Sequence, residues 1–386
     1  MKKTFWVLAI LVLCVVIAKM FVPGYFERSR NVVQEFPHKN ITPRAQLLHD
    51  SLFVADLHTD SLLWDRDIRQ ASNQGHVDLP RLRQGNVGLQ VFSAVTKSPY
   101  GQNYHENSAT TDVITALVLL QWWPASTWRS LYERASFQLR RLQKIADEKP
   151  NNLVFVRSQS DFKELLERRK TKPDTVGAMF LIEGAHALDG QLENLDRLHK
   201  NGLHFVGLTH FFDNGLGGSL HGISQEGLTE FGRQVIERAT ALSMNIDIAH
   251  ASPAMVKEVL SLTNRPVILS HGGFKGACDS SRNLNDNLMK EVAEQGGLIG
   301  VGYWDGAICD NSPNGIVRSI RYGIDLLGVE HIALGSDYDG TVTTTFDTAN
   351  LNVLTQAMLD QDFTETEIRA VMGENVKRFL LEQLPE

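Results

Sequence analysis

Short apolar segments recur along the chain, and most of them end in a polar residue. They are rich in β-branched residues and are only six to nine residues long, which favours β-strands over helices. Eight segments have this form: 52–58, 87–95, 177–184, 203–210, 244–250, 266–271, 297–303 and 331–337. The pattern therefore predicts eight strands of similar length, spread over almost the whole chain.

Helical periodicity separates most of these segments. Residues 229–243 place Phe231, Val235, Ile236, Ala239 and Leu242 at spacings of one, three and four, which predicts a helix with one apolar face. Similar patterns predict further helices at 192–201, 252–262, 285–295, 314–327 and 364–384. Residues 109–146, interrupted by Pro124, are interpreted as an insertion of two helices after the second strand.

Alternation of strands and helices predicts parallel strands joined by crossover helices. Eight such units over roughly 330 residues fit one (β/α)8 TIM-type barrel better than an open doubly wound sheet. No GxGxxG sequence follows any predicted strand, which disfavours a dinucleotide-binding fold. We therefore predict a single barrel domain from residue 46 to residue 386.

The N-terminus is predicted to be separate from that barrel. Two lysines, Lys2 and Lys3, precede an apolar run at 5–18, and residues 20–22 extend the run beyond Lys19. Fourteen residues suit a signal peptide, whereas 18 residues with a snorkelling lysine suit a thin or tilted membrane span. An uncleaved anchor over residues 1–22, with the lysines inside, is the favoured interpretation, and a cleaved signal ending at Ala18 is the alternative. Either interpretation places the rest of the protein in the periplasm or otherwise outside the cytoplasm. Residues 23–45 are predicted to be a polar, unpatterned connector between this segment and the barrel.

Composition narrows the classes of partner. The chain has 386 residues, is 42% hydrophobic and carries a formal net charge of -7, which argues against nucleic acid or an acidic membrane surface as the main partner. Beyond the apolar segment the cysteines are Cys278 and Cys309. In an exported domain these two could form one disulfide or remain unrelated buried thiols.

Polar residues at the strand ends carry the candidate chemistry. In a barrel of this kind the carboxyl ends of the strands meet at one rim, which is where active sites lie. Taken singly, each of these residues could be a satisfied core histidine or a helix cap. Eight such residues would converge there: His58, Asp60, Glu183, His210, His250, His271, Tyr303 and Asp337.

The residue types at this rim suit a pair of metal ions. His58 and Asp60 are two positions apart and would point the same way, since side chains alternate along a strand. Imidazole and carboxylate are good zinc ligands, and a carboxylate such as that of Glu183 can bridge two ions. Two ions about 3.5–4 Å apart can share a hydroxide and polarise a carbonyl group. His250 and His271 could complete a second metal site. His210 could hydrogen-bond an oxyanion, and Asp337 could move a proton or bind a metal.

A glycine-rich loop, HGGFKGACDSSRNLND, follows the sixth predicted strand and carries Arg282. An arginine beside a metal site suits bidentate binding of a substrate carboxylate. The alternative is an arginine that caps or pairs locally. Tyr303, at the end of the seventh predicted strand, is a second candidate for substrate binding.

From about Leu47 to Leu381 the chain resembles the membrane dipeptidase (renal dipeptidase) family of zinc peptidases. The resemblance rests on the order and spacing of six pieces: DLHTDSLLW, FLIEGAHALDG, LTHFFDN, IDIAHAS, ILSHGG with SSRN downstream, and GSDYDG. It implies a (β/α)8 barrel with two zinc ions, and cleavage of dipeptides, often with a D-residue on the C-terminal side.

The resemblance also implies a role for each matching residue. One zinc would be bound by His58, Asp60 and Glu183, and the other by Glu183, His250 and His271. His210 would steady the oxyanion, Arg282 would bind the terminal carboxylate of the substrate, and Asp337 would transfer the proton. It further implies a disulfide between Cys278 and Cys309. The loop after His210 and the pocket wall at 300–304 depart from the mammalian pattern, so substrate preference does not follow.

Two other functions remain open from the sequence. Amidohydrolase-type barrels carry two metals and hydrolyse lactams or lactones, but they usually begin with His-x-His and bridge the metals with a modified lysine. A third hypothesis is a barrel that binds peptides without cleaving them. Such a protein would be expected to lack one of the metal-binding residues. The leading hypothesis is a zinc dipeptidase in which a metal-bridging hydroxide attacks the substrate. Its expected partners are a dipeptide substrate and the membrane, and a homodimer is possible.

Overall fold

A computed structural model describes residues 2–37 and 40–386. In this part of the chain eight parallel strands form a closed barrel. They are β1 (Val54–Thr59), β2 (Val87–Val95), β3 (Val176–Glu183), β4 (Leu203–Gly207), β5 (Asn245–Asp247), β6 (Ile268–Gly272), β7 (Leu298–Val301) and β8 (Ile332–Leu334). Neighbours in the ring are neighbours in sequence, and β8 closes on β1 through Leu334 and Asp56. The predicted (β/α)8 barrel is confirmed.

The strands are buried along their whole length. Helices cover the outer face of the barrel and side chains fill its interior, so the strands can be apolar at successive positions instead of alternating. The polar ends of several predicted strands lie beyond the last paired residue. In the seventh unit, for example, pairing ends at Val301.

Most predicted helices are present with nearly the expected bounds. Ser252, for example, accepts a hydrogen bond from the Met255 amide, and Pro253 occupies the first turn of the following helix. The predicted helices are found at Glu193–Lys200, Glu230–Ala241, Pro253–Leu262, Asp286–Glu294 and Pro313–Leu327, with the insertion as Val113–Leu120 and Leu131–Asp147. The last predicted helix is divided into Glu365–Arg369, a π-helical turn Ala370–Glu374 and Asn375–Gln383.

Several elements were not predicted from the sequence. They are the helices Pro43–Asp50, Leu79–Gln84, Gln159–Thr171, Asp305–Ile308 and Asn352–Asp360, and the strand Leu153–Phe155, which pairs with the start of β3. Each lies in a segment where polar and apolar residues are mixed without a clear period. Burial against the barrel therefore determines the secondary structure of these segments more than their local sequence pattern does.

The N-terminal helix runs from Lys2 to Arg30, through Pro23 and into the segment expected to be an unpatterned connector. Its last turns pack on the barrel, where Pro23 and Glu27 are buried. After the helix, Val32–Val33 pairs with Thr343–Thr344 beside the barrel rim. Tertiary contacts thus order residues that no local pattern marks. By length and composition, Lys3–Arg30 is the one helix among the described residues that could cross a membrane.

Candidate metal centre and substrate cavity

A cavity of about 400 Å³ opens at the carboxyl ends of the strands. Strand-end residues form its floor, and loops that follow the strands form its walls. Of the predicted site residues, those that line it are Asp60, Glu183, His210, His250, Arg282 and Asp337. His58 and His271 lie just beneath them and are fully buried.

Glu183, the last residue of β3, lies at the centre of this group. Its Oε1 atom is 3.1 Å from Nε2 of His250 and 3.4 Å from Nε2 of His271. The two histidine Nε2 atoms are 3.0 Å apart. The predicted second ligand set therefore converges on one point between β3, β5 and β6.

The first predicted ligand set converges on the same carboxylate oxygen. Nε2 of His58 lies 3.6 Å from Oε1 of Glu183 and 3.4 Å from Oδ1 of Asp60. Asp337 is close as well, with Oδ1 3.9 Å from Nε2 of His58. As expected from strand alternation, His58 and Asp60 point to the same side, with Asp60 at the cavity and His58 beneath it, whereas Thr59 turns away and donates to the Tyr338 carbonyl.

The donor atoms of this cluster fit metal ions. Ligand atoms at 2.0–2.2 Å from a tetrahedral zinc lie about 3.3–3.6 Å from one another, close to the separations described above. Three of the polar atoms are buried without a hydrogen-bond partner: Nε2 of His58, Oδ1 of Asp60 and Oε2 of Glu183. Because an unpaired buried polar atom is costly, these atoms are arranged to receive a cation.

The electrostatics of the ion-free protein agree with this fit. Burial raises the pKa of the Glu183 carboxyl well above its ordinary value, and the Asp60 carboxylate raises it further. Burial likewise raises the pKa of Asp337 to about 8. For His58, burial lowers the pKa, but Glu183 and Asp60 outweigh it and raise the value to about 10. The negative charges of these crowded carboxylates are thus not fully compensated in the ion-free protein, and a divalent cation would compensate them.

Ser270 and Asp247 orient two of the histidines, and sequence reasoning did not single them out. The Ser270 hydroxyl donates to Oδ2 of Asp247 at 2.6 Å and so can only accept from its other neighbours. Those neighbours are Nδ1 of His271 at 2.9 Å and Nδ1 of His58 at 3.3 Å. This arrangement favours a proton on Nδ1 of both rings, so that a metal ion displacing any proton from Nε2 would find the Nε2 lone pairs directed at it.

Asp56 plays a similar supporting part and was also missed. Its carboxylate accepts from the backbone amides of His58 and Ser336 and from the Ser336 hydroxyl. It thereby ties the end of β1 to the loop that carries Asp337. The signal available in the sequence was an aspartate inside an apolar strand, at Asp56 in β1 and at Asp247 in β5.

The loop of Asp337 is held in an uncommon backbone conformation. Asp337 and Asp339 have φ values of 58° and 64°, and His250 has a φ of 62°. Non-glycine residues adopt this left-handed region at a cost and cluster at functional sites. Asp339 is fixed there by Ser61, by the backbone of His76 and by Arg66.

His210 and Arg282 both line the cavity beside the cluster. Nε2 of His210 is 3.6 Å from Oε2 of Glu183, and its Nδ1 lies 3.3 Å from the Lys97 carbonyl oxygen. Arg282 is buried, donates to the His271 carbonyl at 3.0 Å, and leaves its Nε–H without a partner. A buried guanidinium with a free donor is ready for an anionic group of a ligand.

The structure does not place Tyr303 in the cavity, contrary to the prediction that it binds substrate. Its ring is fully buried and packs against Tyr338 and Phe346. Trp304 lines the cavity instead, with the Arg282 guanidinium 5.5 Å from its ring centre. The reason is that β7 ends at Val301, so strand alternation no longer sets side-chain direction at 303 and 304.

A disulfide joins the two loops that carry these last residues. Cys278, four residues before Arg282, is bonded to Cys309, five residues after Trp304. This pairing is the one that the family resemblance implied. His221, in the loop after His210, is buried, stacks on Phe211 and lies with Nδ1 2.9 Å from the Tyr104 carbonyl oxygen.

Comparisons with known proteins agree with the fold. The sequence profile of the membrane dipeptidase family (peptidase family M19) matches residues 42–384. The dipeptidase aclJ of Aspergillus oryzae (strain ATCC 42149 / RIB 40) is 25% identical over 352 residues, which cover 85% of this chain and 77% of that protein.

Two solved structures share the fold. The probable dipeptidase PvdM from Pseudomonas aeruginosa has a TM-score of 0.72 at 17% identity. The match covers 88% of this chain and 99% of PvdM. A metallopeptidase from Rhodobacter sphaeroides, liganded with a phosphinate mimic of the dipeptide L-Ala-D-Ala, has a TM-score of 0.66 at 22% identity. The match covers 86% of this chain and 99% of that protein. The chain therefore belongs to the membrane dipeptidase family, peptidase family M19, and is a metallo-dipeptidase that hydrolyses peptide bonds.

Proposed function

We propose that the protein is a dinuclear zinc dipeptidase. One ion is held by His58, Asp60 and Glu183, and the other by Glu183, His250 and His271. The observation that carries this proposal is the single Glu183 carboxylate between three imidazole nitrogens, all within 3.6 Å of Oε1. When bound, the two ions would supply Lewis acidity for the scissile carbonyl group and acidify a water molecule.

Arg282 selects substrates with a free C-terminal carboxylate. Its guanidinium is buried at the wall of the cavity, where a neutral amide could not replace the charge of a carboxylate without leaving the arginine unpaired. A longer peptide has an amide at that position. This contact therefore limits cleavage to dipeptides.

His210 and Asp337 act on the scissile bond from the cavity wall. Nδ1 of His210 donates to the Lys97 carbonyl oxygen, so the ring donates from Nε2 to the scissile carbonyl oxygen only as an imidazolium, which the negative charge developing there favours. Asp337 reaches the same space from the loop after β8 and delivers a proton to the nitrogen of the leaving amino group. Neither role needs a movement of the barrel, since both residues already line the cavity.

The substrates proposed are dipeptides, including those with a C-terminal D-residue. Support for this comes from the Rhodobacter sphaeroides relative, whose structure is liganded with a mimic of L-Ala-D-Ala. Residues 1–22 are proposed to anchor the protein in a membrane, with the barrel of residues 46–386 on the outer side. N-terminal sequencing of the native protein distinguishes this anchor from a signal cleaved at Ala18.

The proposal is tested with a panel of L,L and L,D dipeptides and their C-terminal amides. Hydrolysis of the free dipeptides is expected to disappear when the protein is stripped with a chelator and to return with added zinc. Two zinc ions per chain are expected by elemental analysis. Full activity in the stripped protein, or equal cleavage of the amides, would overturn the mechanism.

A further inference from the structure

The insertion after β2 carries exposed aromatic and aliphatic side chains that nothing in the barrel covers. Leu119, Trp122 and Trp128 are 45%, 56% and 46% exposed, and we call these three residues the insertion patch. They lie within ten residues of one compact turn, in which the Trp122 amide donates to the Leu119 carbonyl and the Trp128 indole donates to the Trp123 carbonyl. Exposed apolar groups that cluster in this way mark an interaction surface.

The N-terminal helix lies directly beside this patch. Nζ of Lys19 is 4.2 Å from the ring centre of Trp122. Further along the helix, Phe26 packs on the buried face of the insertion helix Val113–Leu120, in a cluster that includes Leu117 and Val118. The patch and the apolar helix therefore form one continuous surface.

Lys19 fixes the level of the patch relative to a bilayer. It is the only charged residue between positions 5 and 22, and it lies one turn before the end of that apolar run. An 18-residue helix is about 27 Å long, close to the thickness of the hydrocarbon core, so the Lys19 ammonium reaches the outer headgroup layer. Trp122 is at the same level, and tryptophan favours that layer. Arg129, exposed beside Trp128, adds a cation that suits lipid phosphates.

We infer that the insertion patch is seated in the outer interfacial layer of the membrane, as a second contact beside the N-terminal helix. This inference rests on the proposed anchor. It has a consequence for the active site, because Val113 and Ile114 at the start of the insertion helix line the cavity, as do Phe26 and Arg30 of the N-terminal helix. The mouth of the cavity then opens at the membrane surface and receives dipeptides there.

The test uses full-length protein in phosphatidylcholine–phosphatidylglycerol bilayers, with a nitroxide at one cysteine at a time. Native Cys14 reports on the anchor. In a Cys14→Ser background, Leu119→Cys and Trp128→Cys report on the patch. Leu262→Cys is the matched control, since Leu262 is a 39% exposed apolar residue at the C-terminal end of a barrel helix, away from the cavity. Dipeptide hydrolysis by each variant verifies that it is folded.

We expect the labels at 119 and 128 to be accessible to oxygen and protected from a water-soluble nickel chelate, and the label at 262 to be open to the chelate. If 119 and 128 are as open to the chelate as 262 while Cys14 is protected, the inference fails and the anchor stands. Exclusion of both quenchers at 119 and 128 would mean that protein covers the patch, which also overturns it. A Cys14 label open to the chelate would refute the anchor and this inference together, without bearing on the zinc mechanism.

Discussion

Oε1 of Glu183 lies 3.1 Å from Nε2 of His250, and Nε2 of His271 and of His58 approach the same oxygen at 3.4 and 3.6 Å. Burial and the neighbouring carboxylates raise the pKa of Glu183, so the ion-free protein stores unfavourable charge here. The Glu183 carboxylate therefore favours metal binding but lowers the stability of the metal-free protein.

Glu183→Gln is expected to lower kcat/KM by roughly three orders of magnitude, because an amide is a poor bridging ligand. Zinc content should fall below two ions per chain. The metal-free variant should be at least as stable as the metal-free parent, since a buried carboxylate has been neutralised. Elemental analysis and thermal unfolding in chelator test this, with the exposed Glu237→Gln as control. Retention of two tightly bound ions would contradict the bridging role.

Ser270→Ala is expected to weaken zinc binding about 10- to 100-fold, because it removes the acceptor that fixes the protons of His58 and His271 on Nδ1. The tautomers can be read from nitrogen chemical shifts of labelled histidine. Ser261→Ala is the matched control, since that exposed hydroxyl bonds only a helix carbonyl. Unchanged tautomers together with unchanged affinity would remove Ser270 from the site.

Arg282→Lys keeps the charge but loses the planar pair of donors. We expect kcat/KM for free dipeptides to fall by about 30- to 1,000-fold, equivalent to about 2–4 kcal/mol. The residual activity on C-terminal amides should hardly change, because they never engaged the arginine. Parallel losses on both substrate classes would show that the variant acts through packing against Trp304 instead.

Removing the disulfide is expected to loosen the cavity wall. Cys278 and Cys309 are 31 positions apart, and opening a loop of that size costs about 3–4 kcal/mol in the chain-entropy model. In the double variant Cys278→Ser, Cys309→Ser the melting temperature should fall, and KM should rise more than kcat falls because Arg282 and Trp304 lie on the released loops. Cys14→Ser should change neither quantity.

The docking of the N-terminal helix is expected to weaken as pH rises. Burial raises the pKa of Glu27 to about 7; Arg66 opposes this shift at 2.5 Å, and Asp339 adds to it. Arg81 acts weakly in the same sense as Arg66. Because the folded pKa lies above the ordinary value, Glu27 stabilises the fold below about pH 4.5, and this contribution is lost by about pH 7.

Unfolding experiments between pH 4.5 and 8 compare the parent with Glu27→Gln, which cannot ionise. The stability of the parent relative to the variant should decrease by about 3 kcal/mol up to pH 7 and then level off. Arg28→Gln, exposed on the same turn, is the control. A difference between parent and Glu27→Gln that is constant or grows with pH would contradict the raised pKa.

Some parts of the site could be predicted because they depend on position along a strand. His58, Glu183 and His271 lie within β1, β3 and β6, and alternation along a strand fixes which way they face once the barrel is assumed. Asp60 follows β1 directly and keeps the same direction. Arg282 was predicted from its loop and its chemistry, and the disulfide that steadies that loop followed from family resemblance.

Other parts could not be predicted, because they depend on backbone beyond the strands or on distant segments. Two and three residues after β7 ends, Tyr303 turns into the core and Trp304 lines the cavity in its place. Ser270 and Asp247 become a pair only when β5 and β6 lie side by side. The contact of Glu27 with Arg66 joins two segments 39 residues apart, and no local pattern encodes it.

By itself, the sequence determined the eight-fold alternation of strands and helices, the rim on which the ligands meet and the family to which they point, since periodicity and spacing are local properties of the chain. Only the tertiary structure decided which side chains orient the ligands, which aromatic residue lines the cavity, and that the N-terminal helix packs against the mouth. Those features arise from contacts between residues far apart in sequence and from loop backbone such as the left-handed conformation at His250, where strand alternation no longer applies.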